Sequence, residues 1–258
     1  MYPIDLRGRN ALVFGVANHR SIAWAIARLL RQAGARVALA YQNQRVKPGV
    51  ERLVADWDDA LLVECDVSED DNVRRALEEI HERVGPLDIV VHSIAFANRE
   101  DLGGRFVETP REGFRLALDI SAYSLVLIAR HAEPLMREGG SILTLTFQAS
   151  ERVFPGYNVM GTAKAALENE VRQLAYDLGR AKGLRVNAIS AGPVDTLSSR
   201  VISGYRDMKR MHADRAPLAR NVTADEVARA ALFLCSDLAS GVTGEVLHVD
   251  TGYHVMGI

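Results

Sequence analysis

At 258 residues, with 48% hydrophobic and 25% charged side chains, the chain has the balance of a folded protein and the length of one large α/β domain or two small ones. Its 31 basic residues nearly cancel its 33 acidic ones, which excludes a general field for attracting nucleic acid or an anionic membrane. No run of 18 apolar residues occurs, so no membrane-spanning helix is expected. The first eight residues carry Asp5 and no apolar core, so they are not expected to be a secretion signal. Cys65 and Cys235 sit in apolar runs and predict buried thiols in a reducing, cytoplasmic setting. No flexible linker interrupts the pattern, and a single domain over residues 1–258 is expected.

Short aliphatic runs alternate with longer amphipathic ones, the pattern of parallel strands joined by crossover helices. In chain order, the pattern predicts strand Asn10–Phe14, helix Ser21–Gln32, strands Arg36–Tyr41 and Ala60–Cys65, and helix Glu69–Val84. Strand Asp88–His92, helix Arg111–Met136, strand Ser141–Leu145 and helix Gly156–Lys182 follow. Strand Arg185–Ile189, helix Thr223–Ser236 and strand Glu245–Val249 complete the series. Most of the strands are too apolar to alternate, as expected when helices cover both faces. The fold class is therefore α/β, a doubly wound, mostly parallel, seven-stranded Rossmann-like sheet. Ligands of such sheets bind outside the carboxyl ends of the strands, where strand order reverses. That rule selects residues 15–22, 41–44, 66–67, 93–96, 146–157 and 191–196.

After the first strand, Gly15 permits a tight turn and Ser21 stands where it can cap the next helix, whose N-terminal amides would face a pyrophosphate. A plain strand-to-helix turn explains the same residues, and Gly-x-Gly-x-x-Gly is absent. After the second strand, neutral Gln42 suits ribose hydroxyls, while Arg45 and Lys47 stand near enough to pair with a 2′-phosphate. This favours NADH without excluding NADPH. Asp66 suits either an adenine amine or a helix-proximal capping turn just before Ser68. Tyr157 and Lys164 are seven residues apart, a spacing that on a helix brings side chains to within about 20° of one face, about 10 Å apart along the axis. The seven histidines show no metal-ligand spacing, and no metal is expected.

Taken together, these segments resemble the enoyl-acyl carrier protein reductases, a divergent branch of the short-chain dehydrogenase/reductases. The resemblance rests on Gly15 with Ser21 and Ala23, the run Ser93-Ile94-Ala95-Phe96, Tyr157 seven before Lys164, Arg185 to Pro193, and Gly244 to Asp250. Methionine at 160, four before Lys164, argues against the common short-chain subclass. The resemblance implies hydride transfer from NADH or NADPH to C3 of a 2-enoyl thioester carried by acyl carrier protein, in fatty acid elongation. It implies Tyr157 as the donor to the enolate oxygen, and Lys164 as the residue that holds the nicotinamide ribose and lowers the phenol's pKa. It further implies dinucleotide contacts at Gly15, Ser21, Ile22, Gln42, Asp66, Val67, Ser93, Ile94, Ala95, Lys164 and Thr196. Phe96, Phe147, Met160, Pro193, Ile202 and Tyr205 match the substrate side, with a substrate loop at about 192–215, although core packing explains Met160 and Pro193 equally well. A homotetramer is also implied.

Two positions depart from the family pattern. Phe147 stands where a second tyrosine is usual, and Asp195, followed by Ser198 and Ser199, stands where a basic residue is frequent and would repel a pyrophosphate unless paired. Arg206, Lys209, Arg210 and Arg215 suit either a solvated helix face or steering of an acidic carrier protein. The departures keep two other readings open: a catalytically weakened dinucleotide-binding sensor or scaffold, and a reductase of another carbonyl or enoyl substrate.

Overall fold

The computed structural model describes residues 4–196 and 204–257. Among these, the chain order is β1 (Asn10–Phe14), α1 (Ile22–Gln32), β2 (Arg36–Tyr41), α2 (Lys47–Leu53), β3 (Leu61–Glu64), α3 (Asp70–Val84) and β4 (Leu87–His92). Then come α4 (Arg111–Leu118), α5 (Ser124–Ala132), β5 (Met136–Thr146), α6 (Val159–Lys182), β6 (Arg185–Ala191), α7 (Tyr205–Arg215), α8 (Ala224–Cys235) and β7 (Val246–Val249). The strands form one sheet in the order β3-β2-β1-β4-β5-β6-β7, and all neighbours run parallel. Because β1 pairs with both β2 and β4, strand order reverses there and a crevice opens at their carboxyl ends.

Two apolar layers cover the sheet. On one face, α1 and α8 bury Ile26, Leu30, Val227 and Leu234. On the other, α3, α5 and α6 bury Leu77, Ile128 and Val171. Each fully buried Leu or Ile of this kind contributes about 1.5–3 kcal/mol. Thr223, expected as the first residue of α8, is instead its N-cap and forms a reciprocal box: Glu226 N donates to Thr223 Oγ1 at 3.2 Å and Thr223 N donates to Glu226 Oε2 at 2.9 Å.

Three helix expectations need correction. The single helix at 111–136 is instead α4, a π-helical turn at Asp119–Tyr123, α5, and a 3-10 turn that ends at Leu135. Met136, expected to end that helix, already belongs to β5, where it pairs with Leu87 ahead of a register irregularity, and Gly139 lies within that strand. Finally, α6 begins at Val159, because Asn158 adopts φ 36 and ψ -119 and interrupts the turn. Tyr157 therefore precedes the helix and does not share its face by helical periodicity.

At the amino end of β4, opposite the crevice, Asp88 is 2% exposed. It accepts from Asn10 N at 2.8 Å and pairs with Arg9 and Arg137, each at 3.1 Å. Asp88→Ala strands these donors and should cost about 3 kcal/mol of stability. The check is a denaturant midpoint that falls while turnover per folded molecule is unchanged.

Candidate active site

Gly15 follows β1 with φ 88, and a Cβ there would stand 1.9 Å from Ser93 O. Only glycine lets the ends of β1 and β4 approach this closely, which floors the crevice with bare backbone. Ser21 occupies the N-cap position of α1, yet its side chain makes no cap bond to the helix. Instead its Oγ accepts from Ala17 N and Asn18 N, each at 3.1 Å, and braces the loop. Ile22 and Ala23 begin α1, whose first N–H groups have no intrahelical acceptor and face an anion favourably.

Gln42 is exposed just beyond β2, as are Gln44 and Arg45. Asp66 and Val67 are partly buried beyond β3. Asp66 Oδ1 accepts from Ser68 N at 3.0 Å and Ser68 Oγ at 2.7 Å, so the turn role is filled by that oxygen. Beyond β4, Ser93 and Ile94 are partly buried and Ala95 and Phe96 exposed. Phe96 is held through its backbone: its N donates to Ser121 Oγ and its O accepts from Ser121 Oγ, both at 2.9 Å. Ser121 lies in the π-helical turn, which sequence periodicity does not reveal. Thr196 follows Asp195 in the segment beyond β6, where its N donates to Val194 O at 2.8 Å.

Phe147 caps β5 and lays its ring against those of Tyr157, centroids 5.1 Å apart, and Phe154, 4.7 Å apart. Burial pushes the Tyr157 phenol above its ordinary 10, and the neighbouring Tyr205 phenol adds to the rise. The expected lowering by Lys164 is therefore corrected: burial dominates here, and the phenol stays protonated. Tyr205, on α7, donates to Val194 O at 2.7 Å. Met160 packs with Leu102 and Ala163, against which Tyr157 lies, so it is a core residue that also backs the site. Pro193 is buried. Ile202, with Ser198 and Ser199, lies outside the described residues. Asp195 is ion-paired with Lys209, which offsets its expected repulsion of phosphate; Arg210 pairs with Asp207 at 3.2 Å.

Lys164 is 5% exposed, and its Nζ donates to Leu145 O at 2.9 Å. That bond uses one of three ammonium donors. Burial pulls its pKa down to about 8, against an upward pull from Glu168. His92 and Glu168 have no prior signal in the sequence. His92 is fully buried, with Nδ1 2.7 Å from Thr144 Oγ1 and Nε2 2.9 Å from Ser124 Oγ. The Ser124 hydroxyl donates to Ile120 O at 2.7 Å, so Nε2–H donates to Ser124 and Nδ1 accepts from Thr144. Burial, reinforced by the Lys164 charge, drives its pKa to about 3.

Such a histidine makes the fold acid-sensitive. Its folded pKa lies below the ordinary 6.5, so its contribution is complete above about pH 6.5 and is lost as pH falls towards 3. His212, 2% exposed and also pushed down by burial, acts with the same sign. Thermal midpoints should fall steeply across that window, and His92→Gln should flatten the fall.

A parallel sheet with a backbone-floored crevice at its switch point, a buried lysine held at Leu145 O and a tyrosine packed on Phe147 just beyond that strand has the make-up of a dinucleotide-dependent oxidoreductase. Residues 15–254 match the family model described as Enoyl-(Acyl carrier protein) reductase. The chain is 50% identical to the enoyl-acyl-carrier-protein reductase (NADH) of Bacillus cereus over 98% of this chain and 99% of that one. It is 48% identical to the corresponding NADPH enzyme of Staphylococcus aureus, again over 98% and 99%. The solved Bacillus cereus enzyme with NADP+ and indole naphthyridinone superposes with a TM-score of 0.96, at 49% identity and with both chains fully covered. The chain belongs to the enoyl-acyl carrier protein reductase family.

Proposed function

We propose that this protein reduces the 2,3 double bond of 2-enoyl thioesters presented by acyl carrier protein in fatty acid elongation, with NADH as the preferred reductant. When bound, the reduced nicotinamide supplies hydride to C3 of the substrate. Gly15, Ser93, Ile94 and Ala95 form the floor for the dinucleotide, with α1 presenting its N-terminal amides to the pyrophosphate. Gln42, Asp66 and Val67 would hold the adenosine end, and Thr196 would add a contact from the segment beyond β6. Lys164 offers its two remaining ammonium donors to ribose hydroxyls. Tyr157, kept protonated by burial, donates to the thioester oxygen as negative charge develops there, and this bond strengthens in the transition state. Phe96, Phe147, Met160, Pro193 and Tyr205 line the acyl side, where each buried methylene is worth about 0.8 kcal/mol.

The observation that carries this reading is the buried Lys164 ammonium held by Leu145 O near the carboxyl end of β5, with Tyr157 packed on Phe147 just beyond that strand. Neutral Gln42 beyond β2 supports NADH, and exposed Arg45 leaves NADPH usable. Exposed Arg206 and Arg215 on α7 suit an acidic carrier protein. The homotetramer implied by the family finds support in a groove between α4 and α6 lined by Phe114, Leu118, Tyr123 and Glu170. Among the described residues no helix is long and apolar enough to cross a membrane. Buried Cys65 and Cys235, with thiols pushed up to about 12 by burial, suit a cytoplasmic setting.

The test is oxidation of NADH by crotonyl and longer 2-enoyl thioesters, set beside a 3-oxoacyl thioester. Turnover confined to the enoyl compounds is expected; turnover of the oxo compound alone would replace this reading with a carbonyl reductase. Phe147→Tyr separates a ring that packs Tyr157 from a missing hydroxyl. Because the ring contacts are already made, kcat should change by less than about threefold, against the 10²–10⁴ of a true acid–base group.

A further inference from the structure

Glu168 is 6% exposed, although glutamate on an amphipathic helix ordinarily faces water. It stands one helical turn beyond Lys164 on α6 and accepts a hydrogen bond from Thr146 Oγ1 at 2.7 Å. Thr146 ends β5 immediately after Leu145, whose carbonyl oxygen holds Lys164 Nζ at 2.9 Å. One strand end therefore anchors the ammonium by its backbone and the carboxylate by a side chain. We infer that Glu168 is a positioning residue for cofactor binding: tethered by Thr146, it supplies the counter-charge that keeps Lys164 protonated and aimed at the crevice.

Among the described residues, the groups around Lys164 leave no other candidate for that charge. From β4, His92 is held neutral by its two hydrogen bonds and its burial. From the segment before α6, Tyr157 is kept uncharged by burial. Glu168 alone among them raises the lysine's pKa, through its negative charge, against a burial that pulls it down to about 8. Without the carboxylate, burial acts unopposed and the ammonium is lost within the working pH range. A neutral amine keeps its place but gives up the charge-assisted bonds that ribose hydroxyls require.

This inference rests on the proposed role of Lys164, and the experiment separates the two. NADH affinity is measured from pH 6 to 9.5 for the parent, Glu168→Gln, Glu168→Asp and Lys164→Met, alongside kcat and KM for crotonyl thioester. Glu168→Gln is isosteric, and its amide oxygen can still accept from Thr146. Its affinity should match the parent within about twofold at pH 6 and fall about tenfold by pH 9, with the alkaline inflection lower by about one unit. Glu168→Asp should keep the parent's inflection. Thr146→Val, which frees the carboxylate, should shift the inflection the same way and serves if Glu168→Gln does not fold. A uniform loss at every pH with an unmoved inflection, or no change at all, would overturn the inference. If Lys164→Met binds NADH as tightly as the parent, the cofactor role of Lys164 fails and this inference falls with it.

Discussion

Tyr157→Phe should lower kcat about 10²- to 10⁴-fold, the range of one positioned acid–base group, while the affinity for NADH stays within about twofold. The ring keeps its place against Phe147 in this variant, so packing is preserved and only the donor is lost. Burial holds the phenol above its ordinary 10. Below that value the donor form is the populated form, and Tyr157 itself adds no acid limb and no alkaline loss at ordinary working pH. A pH–rate profile that breaks near neutrality must then report another group, and Lys164, near 8, is the one the site supplies. Steady-state kinetics with crotonyl thioester, together with NADH titration of the variant, check the split between turnover and binding.

Lys164→Met should weaken NADH about 10²-fold, because two charge-assisted bonds of about 1.5 kcal/mol each disappear and every 1.4 kcal/mol is a tenfold change. Methionine matches the length of the aliphatic stem, so the buried space that the stem occupies stays filled. Stability should fall as well: Leu145 O loses its donor, and Glu168 is left as a buried carboxylate without its neighbouring charge. Pairing Lys164→Met with Glu168→Gln should recover part of that stability and none of the NADH affinity. Calorimetric titration of NADH and thermal unfolding of the single and double variants measure the two effects separately.

The strands were legible because central strands of a parallel sheet are continuous aliphatic runs. Residues 10–14 and 36–41 are strands as read, and the others shift by a residue or two except at β5. Its early start at Met136 hides behind Glu138, Gly139 and Gly140, which carry no strand pattern. The break at Asp119–Tyr123 was invisible for a different reason. Its side chains keep helical character, and only the hydrogen-bond register changes, freeing Ser121 to grip Phe96. Helix α7 was read as part of a loop because it buries little beyond Tyr205 and His212 and is charged elsewhere.

The site divides in the same way. Residues that follow strand ends, such as Gly15, Asp66 and Ser93, were found by the rule that places ligands at carboxyl ends. Tyr157 and Lys164 were found by spacing, although the helical geometry first assumed for them stops at Asn158. His92 and Glu168 were missed because nothing in their own neighbourhoods marks them. One reads as a strand residue and the other as a solvated helix position, and each gains meaning only from partners on other elements, Thr144 and Ser124 for the first and Thr146 for the second.

The most direct test of the central claim follows the hydrogen atoms. Crotonyl thioester is reduced by the parent protein with NADH deuterated at the transferable position of C4, in ordinary water, and the saturated product is read by NMR. Deuterium at C3 and a solvent hydrogen at C2 are the predicted result. A product with the label at C2, or an unsaturated thioester returned with its double bond intact, would contradict the account.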